Sequence, residues 1–254
     1  MRLRNRIAIV TGATGVLGRA TAQRLAMEGA HLALADRAPC PEVLASVQAC
    51  GVRAIDVPAD VTSSAAVARL VERTLAEFGR IDVLVNIAGI SSHGASDDVT
   101  EEEWERVLRG NLTSVFLCCK AVLPAMRAQG YGRIVNMSSV LSKHGGNPRP
   151  WIDPAEQKRA GNLAYGASKA GVNAITLFLA KENSRHGITV NAVAPGPIAS
   201  HMTRNFPQTL KDQIPVGRMG LPEEVADAVA YLAGEAAGFV TGEVLDINGG
   251  LYVD

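Results

Sequence analysis

The sequence has little of what marks several large classes of protein. Its 254 residues include 25 basic and 25 acidic side chains, so the formal net charge is zero. A balanced charge disfavours nucleic acid or anionic lipid as the main partner. Aromatic residues make up only 4% of the chain, so the core is expected to consist of Ala, Val, Leu and Ile. A hydrophobic fraction of 47% is typical of a packed globular chain.

Cysteines and long apolar runs are also scarce. The four cysteines show neither C-x-x-C nor zinc-ligand spacing, so we expect no metal site and a reducing, cytoplasmic location. The basic start of the chain is followed by only four apolar residues, Ile7 to Val10. That run is too short for a signal peptide or a membrane span, so no membrane partner is expected.

Short β-branched segments alternate with longer helical patterns along the chain. The predicted strands are Ile7–Val10, His31–Ala35, Arg53–Val57, Ile81–Val85, Arg133–Met137, Ile188–Val193 and Val244–Ile247. This alternation predicts an α/β fold, a doubly wound Rossmann-type parallel sheet of about seven strands with helices on both faces. Because the chain has no repeat, linker or low-complexity tract, residues 1–254 are expected to form a single domain.

Two of the predicted helices have distinctive sequences. Thr100-Glu101-Glu102-Glu103 matches a capping box and opens a long helix toward Met126, which we expect to break near Asn111. The segment Leu163–Asn183 is apolar on nearly all sides, which predicts that it is buried or lies in a subunit interface.

A glycine-rich turn follows the first strand and opens the first helix. Residues 11 to 18 read T-G-A-T-G-V-L-G. Glycines there allow the backbone to approach a pyrophosphate, and the helix N-terminus offers unpaired N–H groups. By itself the motif is also compatible with a simple tight turn, but its position between strand and helix favours a dinucleotide site. The residues predicted to line it are Gly12, Thr14, Gly15, Val16 and Leu17.

Asp36 ends the second strand, where a doubly wound fold places an adenosine ribose. A carboxylate there accepts hydrogen bonds from the ribose hydroxyls and repels a 2′-phosphate, so NAD is the expected cofactor and NADP is disfavoured. Arg37 either meets such a phosphate or is a solvated loop charge, the interpretation we prefer. Asp60-Val61 either reaches the adenine or caps the helix near Thr62.

The fourth strand ends in Asn86-Ile87-Ala88-Gly89, at the crevice where a doubly wound sheet binds its ligand. Small residues there permit close approach of a cofactor, although the segment is also compatible with a plain strand-ending turn. The cofactor contacts predicted from it are Asn86, Ala88 and Gly89.

Tyr165 and Lys169 share one helix face at i and i+4 spacing. An ammonium beside a phenol favours the phenolate, which suits a tyrosine for taking a proton from an alcohol while hydride leaves the same carbon. Ser138 and Ser139 end the fifth strand at the same crevice, and one of them is a candidate donor to the substrate oxygen. Taken alone, the Tyr165 and Lys169 pair or the two strand-end serines would more often have a purely structural role.

Together, and in this order, the motifs resemble the short-chain dehydrogenase/reductase family over nearly the whole chain, from Ile7 to the ending Asp246-Ile247-Asn248-Gly249-Gly250. The resemblance implies that Tyr165 is the acid/base and that Lys169 lowers its pKa and binds the nicotinamide ribose. It implies that Ser139 polarises the substrate oxygen and that Asn111 holds a water linking Lys169 to solvent. The implied nicotinamide contacts are Pro195, Gly196 and Ile198. The resemblance also implies a homo-oligomer, typically a tetramer.

Three departures from the family pattern stand out. The middle glycine of the turn is Gly15, and Val16 occupies its usual place. Ile87 replaces an asparagine. Ser139 and Tyr165 are 26 residues apart, about twice the common separation, and the extra segment lies within residues 141–162 at the rim of the predicted site. We interpret it as a polar lid anchored by Trp151; a tolerated surface insertion or a subunit contact is the alternative.

The predicted activity is NAD-dependent interconversion of a secondary alcohol and a ketone. The substrate is expected to be small and polar, such as a sugar, polyol or hydroxy acid, and its predicted contacts are Ser91, His93, Val140, His144, Trp151 and Met202. One alternative is a 3-oxoacyl thioester reductase that uses NADPH. Another, from a different class, is a non-catalytic nucleotide-sensing or scaffold protein.

Overall fold

Aliphatic strands form one parallel sheet, as the alternating pattern predicts. The computed structural model describes residues 1–146, 154–200, 203 and 206–253. Within these residues the strands are β1 Ile7–Thr11, β2 His31–Ala35, β3 Ala54–Asp56, β4 Val83–Asn86, β5 Gly132–Met137, β6 Ile188–Pro195 and β7 Val244–Ile247. Most are buried on both faces, which explains why they are continuous apolar runs rather than alternating ones.

The helices cover both faces of that sheet. Their bounds are α1 Val16–Met27, α2 Pro41–Gln48, α3 Ser64–Phe78, α4 Glu101–Leu108, α5 Ser114–Gln129, α6 Leu141–His144, α7 Pro154–Gln157, α8 Leu163–Asn183, α9 Gln208–Lys211 and α10 Pro222–Ala233. The predicted termini of the longer helices agree with these bounds to within a few residues. Pro222 is the first residue of α10, where its missing N–H leaves no hydrogen bond unmade.

The strand order is β3-β2-β1-β4-β5-β6-β7, so the chain reverses direction across the sheet between β1 and β4. In parallel sheets of this kind, ligands bind at such a switch point, beyond the carboxyl ends of the strands. The register pairs Thr11 with Asn86 and Asn86 with Asn136. Polar side chains therefore lie at one level near the ends of β1, β4 and β5, beneath this crevice.

Two aliphatic layers hold the helices on the sheet. One contains Leu25 and Leu232 beneath α1 and α10, and the other contains Leu70, Val122 and Val172 beneath α3, α5 and α8. Burying a side chain of this size stabilises the fold by about 1.5–3 kcal/mol. The scarcity of aromatic residues is thus compensated by many small aliphatic contacts.

The predicted break in the long helix is a π-helical turn, Arg109–Thr113, between α4 and α5. Extra residues in such a turn re-aim side chains and are frequent at functional sites. Here the turn contains Asn111, which is fully buried. The whole stretch Glu101–Gln129 is long and apolar enough to cross a membrane by length and composition, but half of its apolar window is buried inside the fold, as in a core helix.

Only half of the predicted capping box forms. The Thr100 hydroxyl accepts a hydrogen bond from the Glu103 N–H at 3.2 Å. The Glu103 carboxylate, however, is engaged by Ser92 and Arg106 rather than by the backbone of Thr100. The Glu103 carboxylate thus bonds the Ser92 hydroxyl, in another element, instead of the backbone N–H of Thr100.

The predicted fourth strand begins two residues too early. Asp82 is fully buried at this point and accepts hydrogen bonds from Ile7 N at 2.9 Å and from Arg80 Nε at 3.0 Å. A buried carboxylate needs such partners, and Asp82 marks the entry of the chain into the strand that starts at Val83.

Candidate active site

Gly12, in the turn between β1 and α1, and Gly18, in the first turn of α1, have steric requirements that no other residue meets. Gly12 has a φ of +69°, and a Cβ added there would lie 2.7 Å from Ala88 N. A Cβ on Gly18 would lie 2.0 Å from Gly12 O. The turn therefore packs directly against the segment after β4 and against the first turn of α1.

Gly15 differs from these two glycines. It has ordinary extended backbone angles, and an added Cβ would come no closer than 3.4 Å to Gly12 O. As the N-cap of α1, it provides no side-chain acceptor for the helix N-terminus. The first N–H groups of α1, which begins at Val16 and Leu17, are thus available to an anion. The displaced glycine leaves an arrangement that fits a diphosphate.

Asp36 is tied to this turn. Its Oδ2 accepts hydrogen bonds from Thr14 N at 3.0 Å and from Thr14 Oγ1 at 2.7 Å, and its Oδ1 accepts from Arg37 N at 2.7 Å. A carboxylate has about four acceptor sites, so the remaining one lies on Oδ1. The end of β2 and the glycine-rich turn therefore form one preorganised unit.

Asp60 is exposed, and Thr62 takes up its carboxylate. Oδ1 accepts hydrogen bonds from Thr62 N at 2.9 Å and Thr62 Oγ1 at 2.7 Å. These bonds, followed by the charges of Arg37 and Arg109, hold the pKa of Asp60 below its usual value. Val61 is buried. Asp60 thus closes a local turn on Thr62, while the N-cap of α3 is Ser63. Contact of Asp60-Val61 with adenine stays a prediction.

Sequence reasoning missed the role of Thr11 at the end of β1. Its buried Oγ1 accepts hydrogen bonds from Ile87 N at 3.1 Å and Ala88 N at 3.2 Å. These bonds hold the backbone after β4 at the switch point. A polar residue ending an otherwise apolar strand was the available signal.

Asn86 lies beneath this turn, in a buried polar network. Its Nδ2 donates to Asn136 Oδ1 at 2.9 Å, and Asn136 Nδ2 donates to Thr176 Oγ1 at 2.9 Å. Cys119 Sγ lies 3.4 Å from Asn86 Nδ2. The network connects β4 and β5 to α8 and leaves Asn86 below the surface of the crevice rather than on it.

Asn111 reaches the same crevice from the π-helical turn. Its Oδ1 accepts from Ile90 N at 2.7 Å, and its Nδ2 donates to Ile90 O and to Ser168 Oγ, each at 3.0 Å. A Cβ on Gly89 would lie 3.0 Å from Asn111 Oδ1 and 3.6 Å from Lys169 Nζ. Glycine at 89 is therefore what allows these two side chains to converge.

Tyr165, Ser139 and Lys169 converge at the ends of β5 and α8. The Ser139 hydroxyl hydrogen-bonds the Tyr165 phenol oxygen. Lys169 is almost fully buried, its Nζ donates to Met137 O at 2.7 Å, and this nitrogen lies 5.8 Å from the centre of the Tyr165 ring. The structure thus brings Ser139 together with Tyr165 and Lys169, the last of which is 30 residues away in sequence.

Burial is the main cause of the pKa shifts of Tyr165 and Lys169. Burial raises the pKa of Tyr165, and the hydrogen bond from Ser139 opposes that rise. Burial also lowers the pKa of Lys169 to about 8. The causes of the Tyr165 shift are burial and Ser139, while the Lys169 ammonium group is directed to Met137 O. That Lys169 depresses the tyrosine pKa stays a prediction.

The two strand-end serines have different environments. Ser138 Oγ donates to Asn173 Oδ1 at 2.5 Å, within the interior between β5 and α8. Ser139 Oγ accepts from Leu141 N at 3.2 Å and contacts Tyr165. Only Ser139 is positioned to face a substrate oxygen.

Pro195 ends β6, and Gly196 and Ile198 follow it on the same side of the sheet. Pro195 O accepts from Val140 N at 2.9 Å, and Gly196 N donates to Ile247 O at 3.0 Å. A Cβ on Gly196 would lie 2.9 Å from Asn248 Cα. The segment is held between β5 and β7, as a wall beside a nicotinamide would have to be.

The predicted substrate contacts are scattered. Ser91 and His93 are exposed, whereas Val140 is buried. The His144 ring lies 6.4 Å from the Tyr252 ring in the C-terminal segment, and burial lowers the pKa of His144. Two further predicted contacts lie outside the described residues: Met202 and Trp151, which is also the proposed anchor of the lid.

The segment 141–162 is attached at both described ends. Lys143 Nζ forms an ion pair with Asp246 Oδ2 at 2.7 Å and also donates to Val244 O at 3.1 Å. At the other end, Gly161 forms an antiparallel bridge with His93. Whether residues between them form a lid stays a prediction.

A doubly wound parallel sheet with a glycine-rich turn at its switch point and a Ser–Tyr–Lys group in the same crevice defines a Rossmann-type oxidoreductase. The family model described as enoyl-(acyl carrier protein) reductase matches residues 12–252. The chain belongs to the short-chain dehydrogenase/reductase family. Members are enzymes that act on CH–OH groups with a nicotinamide cofactor.

Named relatives differ in the substrates that their names state. A 3-oxoacyl-[acyl-carrier-protein] reductase of Synechocystis is 41% identical over 252 residues, covering 97% of each chain. A cis-4-hydroxycyclohexanecarboxylate dehydrogenase of Sinomonas cyclohexanicum is 40% identical over 251 residues, covering 96% of each chain. The crystal structure of a short-chain dehydrogenase/reductase from Burkholderia xenovorans has a TM-score of 0.89 and 37% identity, covering 100% of this chain and 99% of that one.

Proposed function

We propose that the chain is an NAD-dependent oxidoreductase that interconverts a secondary alcohol and a ketone, with cofactor and substrate sites in one domain formed by residues 1–254. The observation that carries this proposal is the contact of Ser139 with Tyr165 beside buried Lys169. Lys169 lies next to Gly89, and Asn111 hydrogen-bonds the neighbouring Ile90. The bound nicotinamide would supply the hydride acceptor or donor.

The side chains divide the proton chemistry among them. In oxidation, the Tyr165 oxygen takes the proton of the substrate hydroxyl, and in reduction it returns that proton. Ser139 donates a hydrogen bond to the same substrate oxygen and stabilises charge that develops on it. Lys169 would bind the nicotinamide ribose once its Nζ leaves Met137 O, and its charged form would then favour the tyrosinate. Asn111 keeps the proposed role of ordering a water next to Lys169.

NAD is preferred in this proposal because of Asp36. Its carboxylate is held in place by Thr14 and retains an acceptor site on Oδ1 for a ribose hydroxyl. A 2′-phosphate at the same place would face a negative charge. The guanidinium of Arg37 is exposed and acts on Asp60, which supports its interpretation as a solvated loop charge.

A small hydroxy acid is the proposed substrate class. The exposed Ser91 and His93 at the crevice rim offer polar contacts, and the name of the Sinomonas relative states a cyclic hydroxy acid. A second candidate is 3-oxoacyl thioester reduction with NADPH, which the name of the Synechocystis relative favours. The two candidates differ in cofactor as well as in substrate.

Steady-state assays with both cofactors test the proposal. We expect reduction of NAD, with a kcat/KM at least tenfold above that for NADP, when cyclic hydroxy acids, polyols and sugars are screened. Asp36→Asn removes the charge but keeps the shape, and we expect it to shrink that ratio. Efficient oxidation of NADPH by an acetoacetyl thioester, with no activity on free alcohols, would favour the second candidate instead.

We also propose a cytoplasmic homo-oligomer, a tetramer by family resemblance. Large apolar side chains are exposed on α5 and α8: Phe116 at 48%, Leu177 at 46% and Phe178 at 72%. Patches of this kind typically mark subunit contacts. Light scattering of the purified chain measures the state, and a monomer at micromolar concentration would contradict this part of the proposal.

A further inference from the structure

The first turn of α8 is held by a single amide side chain that faces two ways. Asn162 is the N-cap of α8, and its Oδ1 accepts a hydrogen bond from Tyr165 N at 3.2 Å. Its Nδ2 donates to Ser92 Oγ at 2.8 Å and to His93 O at 3.2 Å. The side chain is only 6% exposed. One residue thus connects the backbone of Tyr165 to the loop that follows β4.

The connection continues into α4. Ser92 is 3% exposed, and its hydroxyl donates to the Glu103 carboxylate in a short hydrogen bond. Glu103 in turn accepts from Arg106 Nε at 2.6 Å. This is the pairing that draws Glu103 away from the local capping box. Asn162, Ser92, Glu103 and Arg106 therefore form a continuous polar chain across three elements.

Backbone contacts run beside that chain. Asn162 N donates to Ser92 O at 3.1 Å, and Gly94 N donates to Ala160 O at 3.1 Å. Together with the bridge between His93 and Gly161, they form a short antiparallel pairing. The C-terminal end of the inserted segment is thereby attached to the loop that leads out of Gly89 and Ile90, on the cofactor side of the crevice.

We propose that Asn162 is a positioning residue, which through Ser92 sets the distance between the Tyr165 hydroxyl and the cofactor side of the crevice. The proposal rests on the proposed function, since it assigns Tyr165 to proton transfer. Asn162 does not touch the Tyr165 hydroxyl or the substrate. It acts by keeping the turn that carries Tyr165 in register with the loop after β4.

The distance between the Tyr165 hydroxyl and the cofactor side of the crevice affects the rate of the reaction. A misplacement of about 1 Å at a reacting group can reduce turnover by on the order of 100-fold. Tyr165 also depends on its neighbour Ser139, whose hydrogen bond lowers the tyrosine pKa against the effect of burial. If the first turn of α8 drifts, that hydrogen bond lengthens and the pH at which the phenol loses its proton rises.

Three variants separate the tether from the helix cap. Asn162→Ser keeps an N-cap acceptor but is too short to reach Ser92. Ser92→Ala removes the hydrogen bond between Asn162 and Ser92 from the opposite side, keeps the bond from Asn162 to His93 O, and leaves the cap intact. Asn162→Ala removes both the tether and the cap. Thermal melts of all three show which variants lose stability.

We expect Asn162→Ser and Ser92→Ala to reduce kcat by about tenfold or more, with little change in the KM for the nicotinamide cofactor. Their pH–kcat profiles should move to higher pH in the oxidation direction, and the double variant should be no worse than either single one. Asn162→Ala should combine this defect with a lower melting temperature. A kcat loss confined to Asn162→Ala, or an unmoved pH profile in Asn162→Ser and Ser92→Ala, would overturn the tether.

Phenolate absorbance provides a readout that needs no turnover. The difference between titrations of the wild type and Tyr165→Phe isolates Tyr165, and the same difference in the Asn162→Ser background should show a higher pKa. If the wild type has no oxidoreductase activity with any substrate, the proposed function fails while this titration still decides the tether. An identical Tyr165 titration in both backgrounds overturns the tether even in an active enzyme.

Discussion

The two ends of the crevice are built by different means. At the cofactor end, backbone shape dominates: Gly12 and Gly18 permit contacts that a Cβ would prevent. At the catalytic end, buried polar side chains dominate, and Asn111, Tyr165 and Lys169 are held by hydrogen bonds from several elements. Changes at the first end should therefore act sterically on folding and cofactor binding. Changes at the second should act on proton transfer and its pH dependence.

The sharpest test of this contrast is Tyr165→Phe. Loss of the hydroxyl removes the proposed proton acceptor without altering packing, so we expect kcat to fall by on the order of 10³-fold. Binding of NADH, followed by fluorescence, should stay within about twofold of wild type, because the cofactor end is untouched. Retention of most of the turnover would remove the basis for treating the catalytic end as the site of chemistry.

Gly18→Ala tests the steric end. A Cβ at 2.0 Å from Gly12 O forces the turn and α1 apart, and we expect a loss of about 3 kcal/mol in the free energy of unfolding. Gly15→Ala is the matched control, since its nearest contact would be 3.4 Å, and we expect it to lose less than about 1 kcal/mol. Urea denaturation measures the free energy of unfolding of both variants. Equal losses would show that the steric difference between Gly18 and Gly15 does not determine the stability of the turn.

Lys169 offers a smaller effect with a defined pH window. Its pKa falls from 10.5 to about 8 on folding, so below pH 8 the folded protein holds a desolvated ammonium group that the unfolded chain does not. This penalty, on the order of 3 kcal/mol, disappears as the pH rises from about 8 to 10.5. Relative to Lys169→Met, the wild type should therefore gain stability across that window.

Chemical denaturation at several pH values between 7 and 10.5 measures that gain for wild type and Lys169→Met side by side. Other titrating groups cancel in the difference between the two proteins. If the two curves of stability against pH are parallel, the charge of Lys169 costs the folded protein no stability. The contrast between a steric end and an electrostatic end of the crevice would then lose its strongest support.

Sequence patterns predicted the sheet well because parallel strands buried on both faces leave a readable apolar signature. The strands His31–Ala35 and Val244–Ile247 have their predicted bounds. The fourth strand was less predictable because Asp82 is placed by Arg80 and by the backbone of Ile7, and one of those contacts crosses about 75 residues. The break at Asn111 was predictable in position, but its π-helical form was not.

Site residues divide in the same way. Tyr165 and Lys169 could be found from their spacing on one helix, and the glycine-rich turn from its place between strand and helix. Asn162 could not be found, because its importance lies in a hydrogen bond to Ser92, 70 residues away in sequence. Thr11 left only one signal, a polar residue at the end of an apolar strand, because its role depends on hydrogen bonds to Ile87 and Ala88. The depressed Lys169 pKa was equally out of reach, since desolvation depends on what surrounds the amine.

The sequence by itself determined the order of strands and helices, the family and the residue types available to the crevice, because these follow from local periodicity and motif spacing. The tertiary structure alone decided that Ser138 bonds Asn173 in the interior, that Asp36 is already bound by Thr14, and that the Glu103 carboxylate bonds Ser92 rather than the N-terminus of its own helix. The physical reason is that hydrogen bonding and desolvation depend on distances in space, and the chain sets those distances only after it has folded.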